Sequence, residues 1–265
     1  MTGGLTYVLA NDITVIAPVG TIGPSSFSGT LDGAGHTITI QYTSNNTTFF
    51  EAGSGILFRM FSNGTVKNLT ISGAKITTGT TSTQFGFLAF RAYGNIVVDN
   101  VHVINATMTS GNAPGGNFGG FFGDTAADAN ITIRNSSFNG TIDTTFTVGG
   151  LLGRLGTNAG GTADLTVENC TISGNFIGSG YVAGLVAIVK GGDITVTNTE
   201  IKNATITAST ETGLAGGVFG IAESATNATL NECKITNVTL SGATTDNWAA
   251  SGTVETVNCT VGTNG

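Results

Sequence analysis

The residues of this sequence that could carry out acid–base chemistry are few and widely spaced. Asp99 and His102 lie close together, and Asp99 belongs to a series whose charge alternates from one repeat to the next, Lys67, Asp99, Arg134 and Glu168. Such a series could line a polar groove for a sugar acid. Opposite charges on neighbouring strands also stabilise strand pairing, by about 0.2–1 kcal/mol. We favour this second interpretation.

Hydrolysis or elimination of an acidic polysaccharide requires carboxylates grouped in one site. Here the carboxylates are spread along the chain, at Asp124, Asp143, Asp164 and Asp193, where turn chemistry already accounts for most of them. The segment "NTE" (198–200) resembles one polygalacturonase motif, but the paired Asp and the basic motif of those enzymes have no counterpart. We therefore expect that the chain is not an enzyme and uses neither a metal nor a cofactor.

Threonines on a predicted strand form a second candidate site. Thr107 and Thr109 alternate along one strand, and Thr205 and Thr207 repeat the pattern further along the chain. Their hydroxyls would point outward about 7 Å apart along the strand, as on an ice-binding face or a ligand-binding face. The array is interrupted by Lys75, Asp143 and Asn175.

The composition excludes several classes of protein. The net charge is −7 and the nine basic residues are scattered, so the chain has no basic surface for nucleic acid. The longest apolar run, "YVAGLVAIV" (181–189), is about half of the ~20 residues that a membrane-spanning helix needs. The opening "MTGGLTYVLA" lacks the features of a signal peptide. We expect neither membrane insertion nor nucleic-acid binding.

One twelve-residue pattern recurs six times along the chain. "NGTVKNLTISGA" (63–74) returns in altered form, for example as "NITIRNSSFNG" and "DLTVENCTISG", at spacings of 26 to 35 residues. In almost every copy of the pattern, an Asn stands two residues after the first recurring apolar position. Asn tolerates the left-handed conformation, and stacked Asn amides can bond to each other. The recurring Asn therefore predicts a corner in a stack of coils. The members of this column are Asn68, Asn100, Asn135, Asn169, Asn198, Glu232 and Asn258.

A second, glycine-flanked apolar motif lies between the copies of the first. With a short Thr-rich strand it gives three strands for each repeat of about 30 residues. Few charges, few prolines and many β-branched residues favour strands over helices. We predict an all-β fold, a single-stranded right-handed parallel β-helix of about six full coils with partial coils at both ends. Residues 1–265 would form one domain, with an N-terminal coil and cap region in 1–54 and repeated coils in 55–265.

The three cysteines belong to the column that directly follows the Asn corner. Cys170, Cys233 and Cys259 share this column with Leu69, Val101, Ser136 and Thr199. Cys233 and Cys259 would lie on adjacent coils, about 4.8 Å apart and within disulfide range. We favour a pair of free, stacked thiols, which act as small hydrophobic residues.

Two adjacent apolar residues in each glycine-flanked motif pose a packing problem. Side chains alternate between the faces of an extended strand, so one of the two should point outward. This would create an apolar stripe that another subunit could cover. A local bend that turns both residues inward is the alternative. The predicted stripe contains Leu57, Leu88, Phe122, Leu152, Val186 and Phe219.

The segment "YVLANDITV…FSGTLDGAGHTITI" (7–40), followed by "GGLLG"-type strands, resembles the right-handed parallel β-helix proteins that carry GLUG motifs. The resemblance implies an adhesin-like, extracellular or cell-surface protein. We therefore expect a non-enzymatic structural or adhesive module whose partners are other subunits or the rest of a larger surface protein, with carbohydrate as a further partner. A polysaccharide-binding or polysaccharide-cleaving protein and an ice-binding protein are the alternatives.

Overall fold

The computed structural model describes residues 4–16, 26–41, 43–44, 54–78, 84–110, 116–223 and 226–262. The described chain is all-β, and its parallel strands stack as a β-solenoid of about six turns, which confirms the predicted fold class. Of the predicted N-terminal cap region, residues 1–3, 17–25, 42 and 45–53 lie outside the described residues. No helix in the described part of the chain is long and apolar enough to cross a membrane.

Twenty-nine strands make up the described fold. They are β1 Leu5–Val8, β2 Ile13–Val15, β3 Ser26–Asp32, β4 Thr37–Ile40, β5 Thr43–Ser44, β6 Ser54–Gly55, β7 Phe58–Ser72, β8 Lys75–Thr78, β9 Gln84–Gly86, β10 Ala89–Ser110, β11 Asn117–Gly119, β12 Phe122–Thr125, β13 Asn130–Arg134, β14 Ser137–Asp143, β15 Thr147–Gly149, β16 Leu152–Leu155, β17 Asp164–Glu168, β18 Thr171–Gly178, β19 Tyr181–Ala183, β20 Val186–Val189, β21 Gly192–Thr197, β22 Glu200–Ala208, β23 Leu214–Gly216, β24 Phe219–Ala222, β25 Thr226–Asn231, β26 Lys234–Ser241, β27 Thr244–Asp246, β28 Glu255–Val257 and β29 Thr260–Gly262.

Each strand pairs in parallel with the equivalent strand of the neighbouring coil. Strand β13, for example, lies between β10 and β17 and places Ile133 opposite Val98 and Val167. Equivalent apolar residues therefore form continuous inward columns, and these side chains are almost completely buried. One column of this kind runs through Ile38, Ile71, Val103, Phe138, Ile172, Ile201 and Ile235.

The central coils contain four strands, one more than the sequence predicts, because the glycine-flanked motif is bent in its middle. In one coil β11 ends at Gly119 and β12 begins at Phe122, with the bend between them. β11 belongs to a separate seven-stranded sheet, whereas β12 belongs to the main sheet. At the equivalent Gly149 of the next coil, a Cβ would overlap the carbonyl oxygen of Leu152. Glycine is therefore suited to this bend because the chain turns back so tightly.

The bend shows that the predicted apolar stripe is wrong and that the alternative is correct. All six proposed stripe residues are buried, with at most 2% of any side chain exposed, because the chain is not extended where the alternation rule was applied. The predicted alignment of the stripe was also wrong by one residue at Leu88. Phe122 pairs with Ala89, and Leu88 lies level with Phe121. The residues concerned are Leu57, Leu88, Phe122, Leu152, Val186 and Phe219.

The predicted Asn corners are confirmed by their backbone conformation. Asn68, Asn100, Asn135, Asn169, Asn198, Glu232 and Asn258 all have φ between 44° and 55°. Their amides also bond between coils: Asn100 Nδ2 donates to Asn68 Oδ1 at 3.1 Å, and Asn198 Nδ2 donates to Asn169 Oδ1 at 2.8 Å. Asn suits this position because it tolerates the left-handed region and its side chain can bond to the next coil.

A second corner uses either Asn or Gly. Asn105, Asn203 and Asn237 have left-handed backbone conformations, and Asn237 Nδ2 donates to Asn203 Oδ1 at 2.7 Å. In β18 the corner is one residue shorter than in β22, and Gly174 has φ 122°. A Cβ at Gly174 would also overlap the carbonyl oxygen of Gly140 on the neighbouring coil. This position therefore requires glycine for both conformational and steric reasons.

We predict that Gly174→Ala lowers the free energy of unfolding by about 2–3 kcal/mol, because it adds backbone strain and a steric overlap. Chemical denaturation measures the change. Gly180→Ala is the matched control, since open space surrounds a Cβ at Gly180, and its effect should stay within about 1 kcal/mol. Equal effects of the two substitutions would contradict this account of the corner.

We predict that Glu232→Asn raises the free energy of unfolding by about 1 kcal/mol, because Asn is better suited than Glu to φ 55° and can extend the amide ladder. The reciprocal substitution Asn169→Glu should lower it by about 1–2 kcal/mol, since it removes amide bonds to two neighbouring coils. Thermal and urea unfolding of both variants test the pair. A destabilising Glu232→Asn would be inconsistent with the role assigned to this corner.

Candidate functional site

The predicted threonine face exists as two outward rows that cross β8, β10, β14, β18, β22 and β26. Thr107 and Thr109 lie on β10, where the Thr109 hydroxyl is 3.1 Å from that of Thr77 on the preceding coil. Thr205 and Thr207 lie on β22, three coils beyond β10. Register places Lys75, Thr107, Thr141, Asn175, Thr205 and Thr239 in one row, and Thr77, Thr109, Asp143, Ile177, Thr207 and Ser241 in the other.

These rows provide hydroxyl groups but not an uninterrupted lattice of them. Asp143 and Ile177 separate Thr109 from Thr207, so two coils without paired threonines lie between the coils that have them. The face is therefore a mixed polar surface, on which Lys75 and Asp143 add charges. Its role as a ligand face remains a prediction.

The alternating charges form a ladder of ion pairs on adjacent strands. Register aligns Asp32, Lys67, Asp99, Arg134 and Glu168 in one outward column. Lys67 Nζ is 3.2 Å from Asp32 Oδ2, and Arg134 Nη2 is 2.9 Å from Asp99 Oδ2. Burial works against ionisation of Asp99, but hydrogen bonds from Arg134 and Asn135 outweigh it and lower the pKa of this carboxyl group. The pairing interpretation thus explains these residues.

His102 is held by hydrogen bonds on both ring nitrogens. Nδ1 is 2.9 Å from Ser137 Oγ and Nε2 is 3.1 Å from Asn100 Oδ1. Partial burial lowers the pKa of His102, which favours the neutral ring. Since Asp99 bonds to Arg134 and Asn135 instead, the structure does not bring Asp99 and His102 together as an acid–base pair.

The small residues after the Asn corner have a function that the sequence analysis missed. The backbone N–H of one coil donates to the side chain in this column on the next: Val101 N to Ser136 Oγ at 3.0 Å, Cys170 N to Thr199 Oγ1 at 3.3 Å and Cys233 N to Cys259 Sγ at 3.4 Å. The change from Leu69 and Val101 to Ser, Cys and Thr in the later members of this column was the available signal. Each of these side chains accepts a hydrogen bond from a backbone N–H group that lies just after a corner, where the regular pairing between strands is interrupted.

All three thiols are free in the structure, as expected. Cys170 and Cys233 are buried, and burial is the main reason that the pKa of each is raised to about 11. Cys259 is only partly buried. Both buried thiols are therefore poor nucleophiles at neutral pH.

A buried charge cluster contains Asp124, one of the carboxylates that the sequence analysis grouped with turn residues. Asp124 is 0% exposed. Arg154 donates to it with two bonds, Nε to Oδ1 at 2.9 Å and Nη2 to Oδ2 at 2.8 Å. Arg91, directly opposite Asp124 on the preceding coil, places Nη2 3.5 Å from Oδ2. The three charges come together through register, at sequence separations of about 30 residues.

A shallow cleft lies where Glu232 interrupts the Asn ladder. Its volume is about 250 Å³ and its lining is mostly polar. Glu200 in this cleft bonds to Lys202 and Thr236, which lower the pKa of the Glu200 carboxyl group. Across the residues that the structure describes, no group of three or more His, Cys, Asp or Glu side chains is arranged to hold a metal ion.

Comparison with known proteins supports the fold and little beyond it. No protein-family model and no curated protein matches the chain, so the resemblance to GLUG-motif proteins is not confirmed. Among solved structures, the chain is similar to one named IgA1 protease, with a TM-score of 0.60 and 22% sequence identity. The likeness covers 96% of this chain and 20% of the other, so this chain spans about a fifth of that protein's length.

The expectation that the chain is not an enzyme is contradicted by this similarity, because the similar structure is by name a protease. The expectation relied on the scattered carboxylates of this chain, and that argument does not reach the rest of a larger protein. At 22% identity the likeness shows the fold alone. It assigns no catalytic residue to this chain.

We predict that Asp99 and Arg134 are energetically coupled at neutral pH, but only weakly, since both side chains are partly exposed. Because the folded-state pKa of Asp99 is lowered, its stabilising contribution is present above the unfolded pKa of about 3.9. It is lost as the pH falls through the folded value. A double-mutant cycle of Asp99→Asn and Arg134→Gln, measured at pH 7 and at pH 2, checks this. Coupling that persists unchanged at pH 2 would contradict the ion-pair account.

Proposed function

We propose that this chain is an extracellular structural module of a surface protein or assembly, which extends by stacking its end coils on further coils. The observation that supports this proposal most directly is the position of the exposed apolar side chains. Among the described residues, every large hydrophobic side chain that is exposed lies on the terminal coils: Leu5, Val8, Ile13, Ile16, Val257 and Val261. The lateral surface between the ends carries no such residue in the described part of the chain.

The two exposed ends match each other column by column. Ile13 begins the inward column of isoleucines, and Val261 ends the same column. Ile13 is 40% and Val261 46% exposed, although the equivalent residues of the inner coils are buried. Val8 and Val257 likewise stand at opposite ends of the column that contains the charge ladder. A coil placed on either end would therefore continue both the apolar column and the parallel strand pairing.

The strands at the two ends support the same proposal. Within the described residues, β1 and β2 pair with β3 and β4 on one side, and β28 and β29 pair with β25 and β26 on one side. An edge strand that lies beside exposed apolar side chains favours addition of a further strand. A second copy of the chain, or coils of a larger protein, would supply that strand.

The lateral surface suits a module that contacts other molecules through polar groups. The threonine rows with Thr107, Thr109, Thr205 and Thr207 provide hydroxyls, and the ladder from Asp32 to Glu168 provides paired charges. Adhesion through this surface, with carbohydrate as partner, is part of the proposal. Similarity to a protein of about five times the length, of which the chain covers 20%, is consistent with a module of a larger protein.

End-to-end association is the expected behaviour of the isolated chain, and sedimentation velocity across a wide concentration range tests it. Oligomers that grow with concentration are expected for the wild-type chain. Ile13→Lys and Val261→Lys should each weaken association by about tenfold or more, because a charge would be buried in the stacked interface. Thr205→Lys, on the exposed lateral surface, is the matched control and should associate like the wild type.

Filaments or linear oligomers in negative-stain images of the same samples would support association through the ends. A wild-type chain that stays monomeric at every concentration would overturn end-to-end association. Association that Thr205→Lys weakens more than Val261→Lys would instead place the interface on the side of the solenoid.

A further inference from the structure

The cluster of Arg91, Asp124 and Arg154 contains more positive than negative charge. Two guanidinium groups meet one carboxylate, which leaves a surplus of one positive charge on a chain whose net charge is −7. The carboxylate is 0% exposed, and the Arg154 side chain is 12% exposed. A surplus charge in such a partly desolvated place is unfavourable unless another anion approaches it.

Asp124 cannot neutralise both arginines equally, because Arg154 and the backbone already use its acceptors. Oδ1 accepts from Arg154 Nε and from the backbone N–H of Thr125, both at 2.9 Å, and Oδ2 accepts from Arg154 Nη2 at 2.8 Å. This paired, two-bond geometry is the strong form of an arginine–carboxylate interaction. The contact from Arg91 to Oδ2, at 3.5 Å, is much longer than these bonds.

Arg91 is therefore the arginine with donors to spare. Its Nε is buried and has no hydrogen-bond partner among the described residues. Its Cζ lies 5.5 Å from the centroid of the Tyr93 ring, which holds the guanidinium plane by a cation–π contact. The Arg91 side chain is 29% exposed and that of Arg154 12%, so Arg91 is the arginine that faces the solvent more.

We infer that Arg91, positioned by Asp124 and Tyr93, binds the oxyanion group of a ligand. A carboxylate, a sulfate or a phosphate ester has the oxygens that the planar donor fork of arginine recognises. Arg154 acts as a positioning residue, because it fixes the carboxylate that orients Arg91. The site lies on β10, β12 and β16, away from the terminal coils that carry the proposed association.

Titration of the full chain with sodium acetate, sodium sulfate and sodium phosphate at constant ionic strength tests this site. The readout is the ¹H–¹⁵N signals of the arginine Nε–H groups. The Arg91 signal, assigned through Arg91→Gln, reports binding by the wild-type chain, and the Arg154 signal reports binding by the variants at Arg91. A saturable shift of the Arg91 signal is expected with at least one of the three anions, and the anion that binds tightest separates a carboxylate ligand from a sulfate or phosphate ligand. Sodium chloride serves as the reference salt.

Arg91→Gln should weaken binding of that anion by about tenfold or more, since it removes the charge and the donor fork. Arg91→Lys keeps the charge and should weaken binding severalfold, because an ammonium group lacks the planar fork. Arg134→Gln is the matched control: it removes one arginine from the charge ladder and should bind like the wild type. Melting curves establish that each variant is folded, and if Arg91→Gln does not fold, Arg91→Lys carries the test.

Absence of a saturable shift with all three anions would overturn the site, as would equal binding by wild type and a folded Arg91 variant. Equal weakening by Arg91→Gln and Arg134→Gln would show a general charge effect and would also overturn it. None of these outcomes bears on end-to-end association, which is read from sedimentation of variants at Ile13 and Val261.

Discussion

Parallel pairing of each strand with its equivalent on the next coil is the constraint on which the rest of this structure depends. A single coil of about 30 residues cannot enclose its own apolar side chains, so each coil gains a buried surface only from its neighbours. The inward isoleucine column is buried from Ile38 to Ile235 but partly exposed at Ile13 and Val261, which each pair with one described strand. Burial in this fold is thus a property of the stack.

The same stacking determines the chemistry of the corners. A corner interrupts the strand ladder and leaves backbone groups that need partners. Here the partners come from the adjacent coil: Asn amides bond to Asn amides, and Ser136, Thr199 and Cys259 accept the N–H group of the coil before them. Small polar residues recur in these columns because each one completes the hydrogen bonds of its neighbour as well as its own turn.

Features that repeat with the coil could be predicted from the sequence, and features that depend on local bending or on single contacts could not. The inward columns and the left-handed Asn corners recur in almost every copy, so their periodicity reveals them. The stripe from Leu57 to Phe219 was placed wrongly because the bend after Gly119 breaks the alternation of an extended strand. The contacts of Asp124 with Arg91 and Arg154 occur once, and a shift of a single residue in alignment would separate them.

The shared register of successive coils has a consequence for how the length of the solenoid can change. Equivalent positions such as Ile133 and Val167 occupy the same place on successive coils. Loss or duplication of the segment between two such positions would alter the number of coils and leave the register of the others intact. Each event would change the reach of the protein by about 4.8 Å, the spacing of neighbouring strands. Recombination between similar repeats therefore changes the length of the protein in steps of one coil.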